Sequence, residues 1–252
     1  MHMRLHAALI GLLAIAAAAP LRAGDTAPPA DRSSPPEPIG SPAAWVSADD
    51  YPRVEFQNGF QGRVGIRLSI DKAGKAYLCD VTGSSGSPGL DKETCIAALA
   101  KARFRPARNE NGEAVHGSYS YFTTWINPNA WAKKVVWSAP VDLVLPVNRL
   151  PSDGSNLAKV MQVVTADGTA TSCRRADDTS NPALARAACG FLGTMKSLVI
   201  KDTNGTPVPA VVMWSIGFTT GDPGYRAPPG GTYSRTGKPA LAEPKSAPPP
   251  AR

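Results

Sequence analysis

The four cysteines of this chain form two pairs with the same internal spacing. Cys79 and Cys95 lie 16 positions apart, as do Cys173 and Cys189, and the second pair is displaced from the first by 94. A rare residue repeated at one spacing points to a duplicated unit of under about 100 residues. The same shift superposes Gly74 on Gly168, Ala76 on Ala170, Pro88 on Pro182 and Leu90 on Leu184. A one-residue deletion then brings Asn111-Gly112 onto Asn204-Gly205 and Val115 onto Val208. These are turn, cap and apolar positions, where copies of one fold would retain their residues. The Cys, Gly and Pro matches carry most of the weight, because Ala and Leu are common.

Each unit has its own periodicity. Val64, Ile66, Leu68 and Ile70 alternate with Gly65, Arg67 and Ser69, the pattern of a strand with one buried face. Asp71 to Gly74 supplies turn residues, and Ala76 to Val81 alternates again, completing a hairpin. From Leu90 the spacing becomes helical, with Ser87 or Asp91 to cap the first turn and Pro88 tolerated near its start. Pro106 ends the helix and holds Arg105 extended. Asn111-Gly112 then turns the chain into a third strand, Ser118 to Ile126. The second unit repeats the order: Val160 to Thr165, a turn at Gly168, Thr169 to Arg174, a helix over Pro182 to Leu192, and a third strand over Val211 to Phe218. Gln162 falls at an inward position of this unit, and because a buried amide needs partners, either this strand is shifted or the sheet face there is wet. The fold class read from these patterns is α+β: two tandem β-β-α-β modules, each a small antiparallel sheet packed on a helix.

The ends read differently. Arg4, the apolar run Ala7 to Ala19 and the small residues Ala18, Ala19 and Ala23 make residues 1–23 an export signal peptide. The alternative, an uncleaved inner-membrane anchor, normally wants about 20 apolar residues, and Pro20 and Arg22 interrupt this run. Residues 24–50 form a Pro-rich linker in which Ala27 to Pro42 is expected to be extended and solvated. A first module over 51–130, a connector over 131–140 and a second module over 141–220 follow. Residues 221–252 form a Pro-rich tail expected to be disordered. An exported chain with an even cysteine count is read as disulfide-bonded. Of the three pairings that four cysteines allow, the duplication selects Cys79 with Cys95 and Cys173 with Cys189. Each bridge then staples a second strand to its own helix, worth about 3 kcal/mol for a loop of this size.

Other chemistries find little support. Redox catalysis favours Cys-x-x-Cys, and zinc would want further ligands, whereas His116 is the sole histidine after the signal and reads as an ordinary surface residue. Ser84-Ser85-Gly86 lacks the Gly-x-Ser-x-Gly elbow, and no phosphate-binding loop occurs. Asp71, Asp91, Asp177 and Asp178 sit at turns and helix starts, where capping explains them. No enzymatic activity, cofactor or metal is therefore expected. The formal charge of +7 is spread along the chain without a basic stripe interleaved with aromatics, so a nucleic-acid partner is not expected.

Several stretches of the first module form a recognisable set: Gly62-Arg63-Val64-Gly65-Ile66, Asp71-Lys72-Ala73-Gly74-Lys75-Ala76, Ser84-Ser85-Gly86 after Val81, Leu90-Asp91, Ala97-Ala98-Leu99, Arg103-Phe104-Arg105-Pro106-Ala107 and Gly112-Glu113-Ala114-Val115. In this order they resemble the TonB C-terminal domain over roughly residues 52 to 128. The second module departs from the pattern. Arg174 to Asp178 and Ser180 replace the Ser-Ser-Gly region, and Met195 to Ile200 replaces Arg-Phe-x-Pro-Ala, making it a diverged copy. The resemblance implies a small antiparallel sheet on helices and a non-catalytic binding role in the periplasm. Family members pair a sheet edge with a short segment of an outer-membrane transporter, transmitting energy from an inner-membrane motor, which is β-augmentation in physical terms. By that analogy the partner-binding edge is Ser118, Tyr119, Ser120, Tyr121, Phe122, Thr123, Thr124, Trp125 and Ile126. The partner is an envelope protein or peptide segment, a TonB-dependent outer-membrane receptor among them. Two alternatives stand beside this reading: a membrane-anchored energy transducer, and a structural scaffold that presents its Pro-rich tail.

Overall fold

In the computed structural model, which describes residues 30–128, 141–221 and 232–234, the alternating runs are strands and the helically spaced runs are helices. The first half contains β1 (Glu37–Pro38), α1 (Arg53–Gln57), β2 (Gly62–Ile70), β3 (Ala76–Gly83), α2 (Pro88–Lys101), β4 (Phe104–Arg105), β5 (Ala107–Arg108) and β6 (Ala114–Trp125). The second contains β7 (Leu143–Pro146), β8 (Leu157–Val164), β9 (Ala170–Arg175), α3 (Pro182–Leu192) and β10 (Ala210–Thr219), and β11 (Thr232–Ser234) follows. The order strand, strand, helix, strand thus occurs in both halves. Among the described residues no helix is long and apolar enough to cross a membrane.

Both halves make the same local bonds. Gly74 (φ +79°) and Gly168 (φ +81°) occupy the left-handed region that favours glycine. Gly74 O accepts from Phe104 N at 2.9 Å, and Gly168 O accepts from Ser197 N at 2.9 Å. A Cβ at Gly74 would lie 1.8 Å from Phe104 O, and one at Gly168 would lie 2.8 Å from Ser197 O, so neither turn admits a side chain without movement. Cys79 of β3 is bonded to Cys95 of α2 (Cα–Cα 5.6 Å), and Cys173 of β9 to Cys189 of α3 (5.7 Å). Each bridge ties a strand to the helix packed on it.

Two helix-backed cores follow from the strand periodicity. Val64, Ile66, Leu68 and Ile70 are fully buried against Leu90, Cys95, Ala98 and Leu99 of α2, each contributing about 1.5–3 kcal/mol of burial. Val160, Val164, Val212, Trp214 and Ile216 pack likewise on Leu184, Ala185, Ala188 and Leu192 of α3. Gln162 is on this inward face and is fully buried. Its Oε1 accepts from Ser197 Oγ at 2.7 Å and Trp214 Nε1 at 2.9 Å, so the strand is not shifted.

The sequence patterns do not announce that the two sheets join. Among the described residues one sheet runs β11-β3-β2-β6-β10-β8-β9, with β5 added to β6 and β7 to β10. The join is a short parallel ladder in which Ala210, Val211 and Val212 pair with His116, Gly117 and Ser118. Paired residues point to the same side and neighbours alternate. Val212 faces α3, whereas Ser118 faces away from α2, because Tyr119 and Tyr121 pack on the α2 core. The two helices therefore cover opposite faces of the sheet. A third core beneath the join gathers Ala107, Val115, Met161, Val163, Val211 and Met213.

Polar contacts reinforce the join. Arg67 Nη2 donates to Asp142 Oδ1 at 2.6 Å, with side chains only 11% and 3% exposed. The guanidinium lies 4.9 Å from the Trp214 ring. Ser120 Oγ lies 2.9 Å and 3.0 Å from the two Asp142 oxygens, and Ser215 N donates to Oδ2 at 2.7 Å. Tyr77 Oη donates to Lys201 O at 2.5 Å. Burial pushes the Tyr77 phenol up to about 12 from 10.0.

Three expectations need correction. The described part of the expected linker is docked by its backbone, though much of its surface stays exposed: Arg32 N and Ser34 N donate to Glu110 O and Arg108 O, and β1 pairs with β4. Trp45, 3% exposed, sits in the α2 core against Phe104, Tyr119 and Tyr121. Burial of one large indole, with backbone pairing on its N-terminal flank, outweighs the solvating tendency of the prolines. Within the tail expected to be disordered, β11 pairs with β3, and Tyr233 packs on the α2 core. His116 is half-buried in β6, its ring 6.1 Å from that of Tyr77, and desolvation first and then Lys72 hold its pKa below the usual value. The expected signal peptide, the connector and the rest of the tail lie outside the described residues.

Removing one partner of the buried pair tests the join. Asp142→Ala should lower unfolding stability in denaturant by about 3 kcal/mol, whereas Arg67→Met with Asp142→Leu should recover much of the loss. Tyr77 yields a pH test. Its folded pKa lies above its unfolded value, so its contribution is complete below pH 10.0 and declines as pH rises toward about 12. Tyr77→Phe should cost about 1 kcal/mol at neutral pH and flatten alkaline unfolding curves.

Candidate functional site

The residues expected to form a partner-binding edge lie along β6, whose alternation divides them between two faces. Tyr119, Tyr121 and Trp125 point to the α2 side, where Trp45 covers the tyrosines and Trp125 Nε1 donates to Thr94 Oγ1 at 2.9 Å. Tyr51 lies edge-on to Trp125 at 4.9 Å. Ser118, Ser120, Phe122 and Thr124 alternate to the other face. Ser118 Oγ accepts from Met213 N at 3.2 Å and Ser120 is bonded to Asp142, so both belong to the join. Phe122 is 44% exposed beneath the Arg63 guanidinium at 5.3 Å, and Ile126 is 69% exposed just past the strand.

The backbone of β6 divides in another way. On one side it pairs with β2 throughout Gly117–Trp125. On the other, β5 takes Ala114 and Val115 and β10 takes His116 to Ser118. From Tyr119 to Trp125 that second side has no strand partner among the described residues. The stretch spans about 23 Å at roughly 3.3 Å per residue, and alternate N–H and C=O groups point outward along it.

Opposite this edge β10 has separated from β6, and its residues Ile216–Thr219 carry β7 in parallel. Asp142 N donates to Ser215 O at 2.7 Å and Val147 N to Thr219 O at 2.8 Å, so β7 is seated at both ends. A slot of about 330 Å³ runs from this gap over the sheet face, lined by Tyr119 to Phe122 with Gly65, Ile66 and Thr82 of β2 and β3 on one side and by Val141, Asp142, Met213 and Ser215 on the other. Leu157 and Lys159 also border it. Its chemistry is backbone amides, apolar carbons and a lysine ammonium, which suits an extended peptide.

The stretches that make up the recognisable set of the first module have separate structural work. Asp91 of α2 is buried and accepts from Ser84 Oγ at 2.5 Å, Ser85 N at 2.9 Å and Ser85 Oγ at 2.8 Å. Burial raises its pKa while these bonds oppose the rise. Ser84 is thereby occupied as a hydrogen-bond donor. Asp71 caps its turn through Ala73 N and Lys75 N, and Asp177 accepts from Thr179 N and Ser180 N. Asp178 is surface-exposed and pairs with Arg175 at 3.3 Å.

Sequence reasoning missed Arg67, Asp142 and Trp45. The available signal for Arg67 was a cation in the middle of an apolar strand, which a lone two-layer module would have left at the surface. Residues 47–125 match the family model for the Gram-negative bacterial TonB protein C-terminal, which spans α1 to β6 and leaves the second half outside the match. No curated protein and no solved structure matches the chain.

Hydrogen exchange of the free protein checks the edge geometry. Amides of Ile216–Thr219 that face β7 should exchange slowly, whereas alternate amides between Tyr119 and Trp125 should exchange rapidly; uniform protection along β6 would contradict an open side.

Proposed function

We propose, from the match of residues 47–125 to the TonB C-terminal family model, that the chain is a non-catalytic periplasmic protein whose β6 edge takes up an extended envelope-protein segment by strand addition. The open side of Tyr119–Trp125, facing a peptide-sized slot, carries this reading. Main-chain hydrogen bonds would supply affinity. Phe122, Ile126 and Lys159 would read the segment's side chains. A TonB-dependent outer-membrane receptor is the partner class that the family favours.

The second half is read as a diverged copy of the first, which gives β7 a particular meaning. The repeat shift of 93 that relates Val208 to Val115 carries Ile216–Thr219 onto Thr123–Ile126. The seat that β7 fills on β10 thus corresponds to the open end of β6. On this reading the chain satisfies one of two equivalent edges with its own segment and offers the other to a partner.

A photo-crosslinking residue placed at Phe122 or Thr124 of the full chain should couple to one extended segment of an envelope protein, while the same residue at Thr203 should not. Capture that survives Pro substitutions along Thr123–Trp125 in a still-folded protein, but disappears when residues 222–252 are deleted, would favour the tail instead.

A further inference from the structure

The two disulfides have the same place in the fold but different surroundings. Cys79 and Cys95 are completely buried. β11 lies over the β3 edge with Tyr233 opposite Cys79, and the Tyr233 ring packs on the α2 core. Cys173 lies on β9, the opposite end of the sheet, where no further strand is added among the described residues. Both Cys173 and Cys189 are partly exposed. They line an open groove of about 280 Å³ together with Arg174, Arg175 and Arg186.

The arginines are not equivalent. Arg174 is bonded to Ser33 and paired with Asp31 at 3.4 Å. Arg175 donates to Ser180 O and to Asp178. Arg186 is exposed, three residues before Cys189 on α3, and makes no ion pair or side-chain hydrogen bond among the described residues. The nearby carboxylates are engaged: Asp178 by Arg175, and Asp177 by Thr179, Ser180 and Lys159. The groove therefore presents an uncompensated cation beside an accessible sulfur pair.

We propose that Cys173–Cys189 is an exchange-active disulfide that reacts with small anionic thiols, whereas Cys79–Cys95 is a closed structural bridge. Exchange needs a thiolate to reach one sulfur, and a nearby cation stabilises both the incoming and the departing thiolate. The thiolate bonds to one cysteine sulfur as the S–S bond breaks, and its electron pair leaves on the other cysteine as a thiolate. A second thiolate attacks the reductant's sulfur in the mixed disulfide and frees the first cysteine. Overall, two reductant thiols become one disulfide, and the protein bridge gains two electrons and two protons. The helix stays docked after opening, because Leu184, Ala185, Ala188 and Leu192 remain in the core. This inference is independent of the strand-addition reading.

The full chain is exposed under native conditions to reduced glutathione, quenched with an alkylating reagent and mapped by peptide analysis. Labelling of Cys173 and Cys189 should outpace that of Cys79 and Cys95 by about tenfold or more, with the far-ultraviolet circular dichroism spectrum unchanged. Equal rates, a faster first bridge, or reduction only after unfolding in urea would overturn the proposal. Arg186→Gln should slow reduction by glutathione about twofold and leave reduction by neutral 2-mercaptoethanol unchanged. An unchanged glutathione rate, or equal slowing with both reagents, would rule out the role of Arg186.

Discussion

Three residue pairs connect the two halves of the sheet, and a buried ion pair holds the strands at the point where they part. A ladder that short contributes few hydrogen bonds. The Asp142 carboxylate compensates by joining three strands, since it meets Arg67 of β2, Ser120 of β6 and the Ser215 amide of β10. A buried carboxylate with one partner would be costly to desolvate, and several charge-assisted donors make the position tenable. Because Asp142 immediately precedes β7, the same residue also sets where that strand begins.

The placement of helices on opposite faces explains why β2 has so little solvent-facing surface. In an isolated module Gly65, Arg67 and Ser69 would face water. Here Arg67 and Ser69 are buried, and Arg67 spans from β2 to the Trp214 ring in the α3 core. Joining two sheets along equivalent strands in parallel places each half's helix where the other half has none. It also leaves the strands divergent beyond Ser118, and the slot beside β6 is the geometric result. The candidate site is thus created by how the halves meet.

Much of this architecture was legible in the chain. The helix over Pro182–Leu192 has the boundaries its spacing implied, and the cysteine arithmetic identified both bridges. Local periodicity suffices for such features because their partners lie within one module. The join was hidden for the opposite reason. It depends on backbone pairing between strands almost 100 residues apart, and nothing in the alternation of Val211 to Phe218 distinguishes a free edge from a joined one. Composition also misled around Trp45: the Pro-rich stretch before it was expected to be solvated, but the indole packs against Phe104 and the β6 tyrosines and the stretch is docked with it. The open side of Tyr119–Trp125 lies between these cases, since family resemblance singled out the strand without revealing that its first residues are occupied.

The long ladder between β2 and β6 has a mechanical consequence. Nine consecutive residue pairs run from Gly62 with Trp125 to Ile70 with Gly117. Tension along the axis of β6 would load these bonds in shear, so that they resist together, whereas a pull across the sheet would peel them apart one after another. The hairpin turn held at Gly74 and the bridge from β3 to α2 anchor the neighbouring strands behind that ladder. The first half is therefore stiffest in the direction along which β6 runs.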